Sequence, residues 1–452
     1  VAGAAPSIAE IRARFPALAG PMALLENAGG SQVPLEVADA IRAHMLENYV
    51  QLGAGYAMSD RATRTVDAAH EVVNTLMNGT RAGKAILGAS TTQLIHVIAG
   101  CAAARIRPGD EIVIAESGHE ANIGPWLRLE RAGAVVRWWR VDPDLQDCPV
   151  AALDALLTPR TRWVVFPHVS NLLGAIVDVE DVTRRAHAAG ARVFVDGVAY
   201  APHRAMDVER WGVDWYAYST YKVYGPHMGA VFGTHAALAE LEGPNHFFIP
   251  RDQVPYTFEL GGASHEGCAA IVALAGYLAF LAGNAGATGG ASAARPPSSG
   301  EGAPHAACAS AGGTATRAGH AFAALDSPAA GLTRAVVEAA FARMTDLELP
   351  LQRALVEGVR ANPALRLVGP ATTGASERVP TVSLLHRSRG SAEVARQLQA
   401  AGCAVRCGHM YAHRLCRALG IGTEEGVVRI SAVHYNTPDE VERAVAALAR
   451  YG

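Results

Sequence analysis

Lys222 stands in the run Tyr218-Ser-Thr-Tyr-Lys-Val-Tyr-Gly-Pro-His227, among aromatic and small polar residues and away from other charges. A lysine in such surroundings gives up its proton more readily than one in water, and its neutral amine forms imines with carbonyl compounds. A solvated surface lysine is the plain alternative; the Gly-Pro turn and the aromatic neighbours weigh against it. Asp196 closes the run Arg192-Val-Phe-Val-Asp196-Gly. A carboxylate there can pair with a protonated ring nitrogen, or it can cap a turn. Ser90-Thr91-Thr92 offers hydroxyls and free amides at a predicted helix start, which suits a phosphate dianion or a ligand-free cap. His119, in Ser117-Gly-His-Glu-Ala-Asn-Ile-Gly-Pro-Trp126, can lie flat on a heteroaromatic ring or stay a surface histidine. No single feature is specific. In this order, an imine-forming amine, a ring-nitrogen partner, a phosphate cradle and a stacking ring meet the separate needs of one cofactor, pyridoxal 5'-phosphate.

These residues fall at the ends of predicted strands. Between about residues 70 and 235, β-rich runs alternate with amphipathic stretches. The runs are Lys84–Ala89, Glu111–Ala115, Val135–Trp139, Trp163–Pro167, Arg192–Asp196, Trp215–Ser219 and Ala230–Gly233; Thr92–Ala104 and Val179–Ala189 read as helices between them. Such alternation predicts an α/β fold with a mainly parallel seven-stranded sheet flanked by helices. Ligands on such sheets bind beyond the carboxyl ends of the strands. Helices at Leu332–Met344, Pro350–Ala361, Ala392–Ala401 and Pro438–Ala449, with strands at Thr381–Leu385 and Val427–Ser431, predict a smaller α+β domain at the end of the chain. The expected division is an N-terminal segment (1–25) packing on the small domain, a large cofactor-binding domain (26–282), a flexible insertion rich in Gly, Ala, Ser and Pro (283–325), and the small domain (326–452). The insertion has too few large apolar groups to order itself.

Half of the 452 residues are apolar, ample for two cores, and the net charge of −3 offers no basic excess for nucleic acid or an anionic membrane. The expected partner is a small-molecule amino acid. Seven scattered cysteines do not read as a disulfide framework. No signal peptide is expected at Val1–Glu10, and Ile271–Gly283 is too short to span a bilayer, so the default location is cytoplasmic. Cys403, Cys407, His409, His413 and Cys416 are metal-like in type but irregularly spaced for structural zinc, and no metal is expected.

The motifs His119-x-Ala-Asn-Ile-x-Pro-Trp126, His168-Val-Ser-Asn171-x-Leu-Gly174 and Lys222-x-Tyr-Gly-Pro226 resemble those of the class V aminotransferase superfamily, pyridoxal-phosphate fold type I. They are most similar to the cysteine desulfurase-like and selenocysteine lyase-like branch. The resemblance covers roughly residues 20–280 and 340–452. It implies that Lys222 carries the cofactor as a Schiff base, Asp196 pairs with the pyridine nitrogen, and His119 stacks on the ring. Asn171 would contact the ring hydroxyl side or the substrate. Thr91, Thr92 and Ser219 would hold the phosphate, with Tyr221 and Gly262 also at cofactor-binding positions. Arg429 would clamp the substrate carboxylate with its bidentate fork, or serve only as a salt-bridge residue. Asn27, in Glu26-Asn-Ala-Gly-Gly30, would approach the substrate, as would Arg406 and His409. The resemblance further implies a homodimer with its active site near the subunit interface.

The chain departs from that pattern in four places. Tyr411, in Ala404-Val-Arg-Cys-Gly-His-Met-Tyr411, stands where desulfurases carry the persulfide-forming thiol. A phenol cannot accept sulfur as a thiolate does, though it can act as an acid or orient a substrate. Cys407, four residues earlier, is the candidate replacement. Ala199 stands where relatives place Gln or His, Tyr221 replaces the usual His before the lysine, and Gly262 replaces a Thr. The expected function is an amino-acid lyase that breaks a C–S bond or eliminates a β-substituent without the usual persulfide. An aminotransferase, a decarboxylating or deaminating enzyme, and a non-catalytic pyridoxal-phosphate-binding scaffold are the alternatives.

Overall fold

A computed structural model describes residues 5–283 and 332–450. The insertion expected at 283–325 falls, from residue 284 on, outside the described residues. The large sheet is built from β1 (Gly83–Gly88), β2 (Glu111–Ala115), β3 (Val135–Trp139), β4 (Thr161–Pro167), β5 (Arg192–Asp196), β6 (Trp215–Ser219) and β7 (Gly229–Thr234). They lie in the order β1-β7-β6-β5-β4-β2-β3, and all but β7 run the same way. Alternate residues of each strand supply opposite faces. Val113, Val164, Val193 and Val195 enter one core with Leu76, Met77 and Leu274. Ile112, Ile114, Val165 and Phe194 enter another with Leu94, Ile98 and Trp126. Burial on both faces explains why these strands read as continuous apolar runs.

Helices α1 (Leu35–Glu47), α2 (Ala57–Met77), α3 (Thr91–Ala103), α4 (Val179–Ala188) and α5 (His265–Leu281) belong to this larger part. Each starts or packs for a local reason. Ser90 caps α3 by accepting from Gln93 N–H at 3.1 Å. In α4, Val179, Val182, Thr183 and Ala186 form the buried stripe of an amphipathic helix.

The smaller part comprises α6 (Arg334–Ala361), β8 (Leu365–Val368), β9 (Thr381–His386), α7 (Ser391–Ala400), β10 (Arg406–Gly408), β11 (Val427–Ser431) and α8 (Pro438–Ala449). Its antiparallel sheet has the order β10-β11-β9-β8. Leu351, Leu355, Val382, Leu384, Val428 and Ile430 form its core. Residues Ala23–Leu24 pair in parallel with Cys403–Ala404 of this part, whereas Ile11, Phe15 and Leu18 enter the core that includes Leu76 and Leu274 of the larger one. The two helices expected at Leu332–Met344 and Pro350–Ala361 are one helix, α6, with Pro350 inside it. Proline there forfeits one intrahelical bond. Pro350 is exposed, so water can serve the freed carbonyl, while buried Glu348, Leu351 and Leu355 hold the helix through it.

Candidate active site

Five strand ends converge, because β1, β2, β4, β5 and β6 all point the same way. Asp196 is the last residue of β5 and is buried; its Oδ1 accepts from Val198 N–H at 3.0 Å. Burial pushes this carboxyl above the usual carboxylate range, and Lys222 opposes that shift. Lys222 lies in the short 3-10 turn that follows β6 and is buried too. Its amine is pushed down to about 8, by burial first and by Arg429 next, while Asp196 pulls the other way. Beyond β1, Thr91 opens α3, and its Oγ1 donates to Tyr218 O at 2.7 Å and lies 2.8 Å from Ser219 Oγ. This buried hydroxyl pair sits at the positive end of a 13-residue helix. Gly229 makes the approach possible, since a Cβ there would fall 2.2 Å from Thr91 N.

His119 follows β2. Its Nδ1 accepts from Ala121 N–H at 3.0 Å, which assigns the ring proton to Nε2 in the neutral form. Burial, then Lys222 and Arg429, push its pKa down to about 4, so it is neutral at pH 7. The ring of Tyr411 lies 5.1 Å from it, tilted by 34°. Asn171 follows β4 and donates from Nδ2 to Met410 O at 2.8 Å, while its buried Oδ1 has no partner among the described residues. Arg429, in β11, is buried. Its Nη1 donates to Asn171 O at 3.2 Å, its Nε has no partner among the described residues, and burial holds its pKa down at about 10.

The loop carrying Tyr411 is stitched across to the large sheet. Met410 and Tyr411 both sit in the left-handed backbone region, at φ 47° and 60°. Such a conformation disfavours side chains other than Gly, Asn or Asp, and bonded neighbours must hold it. Asn171 holds Met410 O, Glu120 N–H donates to Tyr411 O at 2.9 Å, and Tyr411 N–H donates to His409 Nδ1 at 3.1 Å. Arg414 and Glu120 add an ion pair at 3.2 Å. A cavity of about 460 Å3 lies at this loop, bordered by Arg406, His409, Tyr411, His413 and Glu424.

Other residues singled out from the sequence occupy different settings. The Thr92 side chain is exposed, apart from the Thr91–Ser219 pair. Tyr221 is half-buried and stacks on His227, with centroids 4.6 Å apart. Gly262, at φ 79°, borders a separate cavity of about 190 Å3 with Ala89, Gln93 and His227. Asn27 is committed to structure: Nδ2 donates to Leu24 O and Ser431 O at 2.9 Å each, and Oδ1 accepts from Tyr435 OH. Arg406 pairs with Glu26 at 3.1 Å and shares a sheet face with Arg429, its cross-strand partner. Cys407 therefore takes the opposite face, beside Val428, and packs against the core of the smaller part. Sequence reading missed Glu26, Glu120 and Arg414. Their partners are hundreds of residues away, and no local pattern marks them.

The sequence profile of the family "Aminotransferase class-V" matches residues 23–249 and 326–444. The "Aminotransferase-like protein FGM3" of Gibberella zeae is 34% identical to this chain, over 98% of each. A "Cysteine desulfurase" of Serratia proteamaculans is 29% identical over 98% of each. Among solved structures, the cysteine desulfurase CsdA of Escherichia coli superposes with a TM-score of 0.75 at 24% identity, covering 99% of this chain and 98% of that one. The chain belongs to the aminotransferase class-V family. It is accordingly an enzyme of the pyridoxal-phosphate-dependent kind, desulfurase-like in fold.

Proposed function

We propose that this enzyme is a lyase that removes a β-substituent, of the cysteine type, from an α-amino acid without a persulfide-forming thiol. One observation carries the reading: a buried lysine, Lys222, lies within electrostatic reach of a strand-end carboxylate, Asp196, and of a buried arginine, Arg429.

The residues fit pyridoxal phosphate. The buried Asp196 suits a cationic N–H partner, the Thr91–Ser219 pair and the α3 amides suit a phosphate, and the orphaned Asn171 Oδ1 suits a hydroxyl proton. Bound there, the cofactor supplies an aldehyde that captures amines and a ring that accepts electron density from Cα. With the cofactor bound, Lys222 Nζ would be its covalent anchor and, as a free amine, the base placed to take a proton from the substrate Cα. Asp196 would favour a proton on the ring nitrogen, and neutral His119 would pack against the ring. Thr92 contributes its backbone amide to the phosphate cradle. Arg429 Nε and Nη atoms hold the substrate carboxylate. Arg406 and His409 border the mouth, where the Tyr411 phenol orients or protonates the departing group. Asn27 acts indirectly, tethering the N-terminal segment beside β11.

Cys407 is assigned no nucleophilic role, because its face of β10 is opposite that of Arg429. The net lyase reaction adds water and gives a 2-keto acid, ammonia and the released β-substituent. The enzyme also works as a homodimer, with exposed Met45, Leu46 and Tyr49 of α1 and its flank at the interface. A second reading, aminotransferase, is favoured by the 34% identity to the aminotransferase-like protein of Gibberella zeae. S-substituted cysteines supplied to the holoenzyme should release pyruvate and a thiol. Amino transfer to an added keto acid, without pyruvate, would overturn the lyase reading.

A further inference from the structure

Two residues past Lys222 the chain turns through Tyr224, whose backbone is left-handed (φ 58°) and whose ring is fully buried. The Tyr224 phenol donates to Pro202 O at 2.9 Å and lies 3.0 Å from His434 Nδ1. A phenol has one proton and a carbonyl can only accept, so His434 Nδ1 carries the hydrogen of the second bond. His434 Nε2 is then the acceptor for Tyr277 OH, on α5. Every polar atom of this junction is satisfied, and a neutral imidazole is the only form that satisfies it.

The four participants come from separate segments, three of which lead to the site. Tyr224 follows Lys222, Pro202 lies six residues beyond Asp196, and His434 lies five beyond Arg429. Phe15 packs edge-on against Tyr277 with centroids 5.3 Å apart and closes the junction from the N-terminal side. None of the four is assigned to ligand contact above, yet together they tie the lysine, the carboxylate and the arginine to one point.

We propose that the Tyr224–His434–Tyr277 junction is a positioning element that fixes the spacing between the Lys222 amine and the Arg429 guanidinium, so that one amino acid reaches both. The inference rests on the cofactor and carboxylate roles given to Lys222 and Arg429 above.

The test compares two probes on the holoenzyme, aminooxyacetate and methoxyamine. Each condenses through its aminooxy nitrogen and releases Lys222 as the free amine, with no net oxidation; only aminooxyacetate carries a carboxylate. The ratio of their rates reads how well Arg429 is placed for a ligand captured at the lysine. In Tyr224→Phe and His434→Phe this ratio should fall roughly tenfold or more, as sub-ångström to ångström misplacement of a reacting group predicts, with cofactor still covalently bound. His434→Gln, whose amide can both donate and accept, should recover most of it. A purely structural junction would lower the unfolding temperature and leave the ratio alone, which would overturn the proposal. If His434→Phe does not fold, an unchanged ratio in Tyr224→Phe suffices to overturn it. A wild-type enzyme that captures both probes with no preference would instead overturn the Arg429 assignment, and with it the proposal.

Discussion

The Lys222 amine is the most consequential group in the chain, and its environment makes a signed prediction. Removal from water and the Arg429 cation both disfavour the ammonium form, and Asp196 compensates only in part. The amine therefore becomes neutral, and nucleophilic, as pH rises through about 8 rather than through the ordinary lysine value of 10.5. Capture of added pyridoxal phosphate by the cofactor-free protein should speed up with pH to a plateau above that midpoint. Arg429→Leu, by removing a cation, should move the midpoint upward. Stopped-flow absorbance across pH measures both, and a midpoint near 10.5 in the unaltered protein would contradict the buried setting. His119 has the opposite simplicity: with a pKa near 4 it stays neutral across the same range and adds no inflection.

At the scale of elements, α6 shows how tertiary contacts overrule local propensity. Pro350 invites a break, yet Glu348 sits fully buried between His203 Nδ1 at 3.0 Å and Arg204 Nη1 at 2.9 Å. Glu348→Ala leaves the Arg204 guanidinium buried beside no carboxylate, and should cost about 3–5 kcal/mol in denaturant unfolding. Much of the fold was legible in advance. Glu111–Ala115, Val135–Trp139, Arg192–Asp196, Trp215–Ser219 and Val427–Ser431 are strands with the bounds read from their apolar runs; in all but the edge strand Val135–Trp139, burial along most of the strand leaves an unbroken signal. The residues at those ends, Asp196 and Lys222 among them, could be picked out for the same reason. What stayed hidden depends on register and on distant pairing. The face taken by Cys407 follows from its pairing with Val428, which no spacing reveals. Asn27 looked available because its partners, Ser431 and Tyr435, lie some 400 residues away. The Tyr224–His434 bond spans 210 residues in the same way.

At the scale of the whole molecule, the exposed apolar side chains are not scattered evenly. Leu35, Met45, Leu46, Tyr49, Tyr56 and Met58 all lie within one stretch of 24 residues. Exposed apolar side chains grouped in this way suit the homodimer interface proposed above. If these residues form the proposed homodimer interface, Leu46→Glu with Tyr49→Lys should turn a dimer into monomers in sedimentation velocity and weaken cofactor retention. A variant that stays dimeric would move the interface elsewhere. The two parts of the molecule also meet at the site: Lys222, Asp196 and His119 lie at or just beyond strand ends of the large sheet, whereas Arg429 is on β11 of the small sheet and Tyr411 on the loop after β10. Any relative movement of the two would thus change the distance between the Lys222 amine and the Arg429 guanidinium.

The proposed chemistry depends on which nitrogen would hold the cofactor. The most direct measurement is borohydride reduction of the protein incubated with pyridoxal phosphate, followed by mass spectrometry of its peptides. A single phosphopyridoxyl group on the peptide containing Lys222, absent from Lys222→Ala, is the predicted result. Labelling of Lys84 instead, or an equal yield of labelled protein from Lys222→Ala, would contradict it.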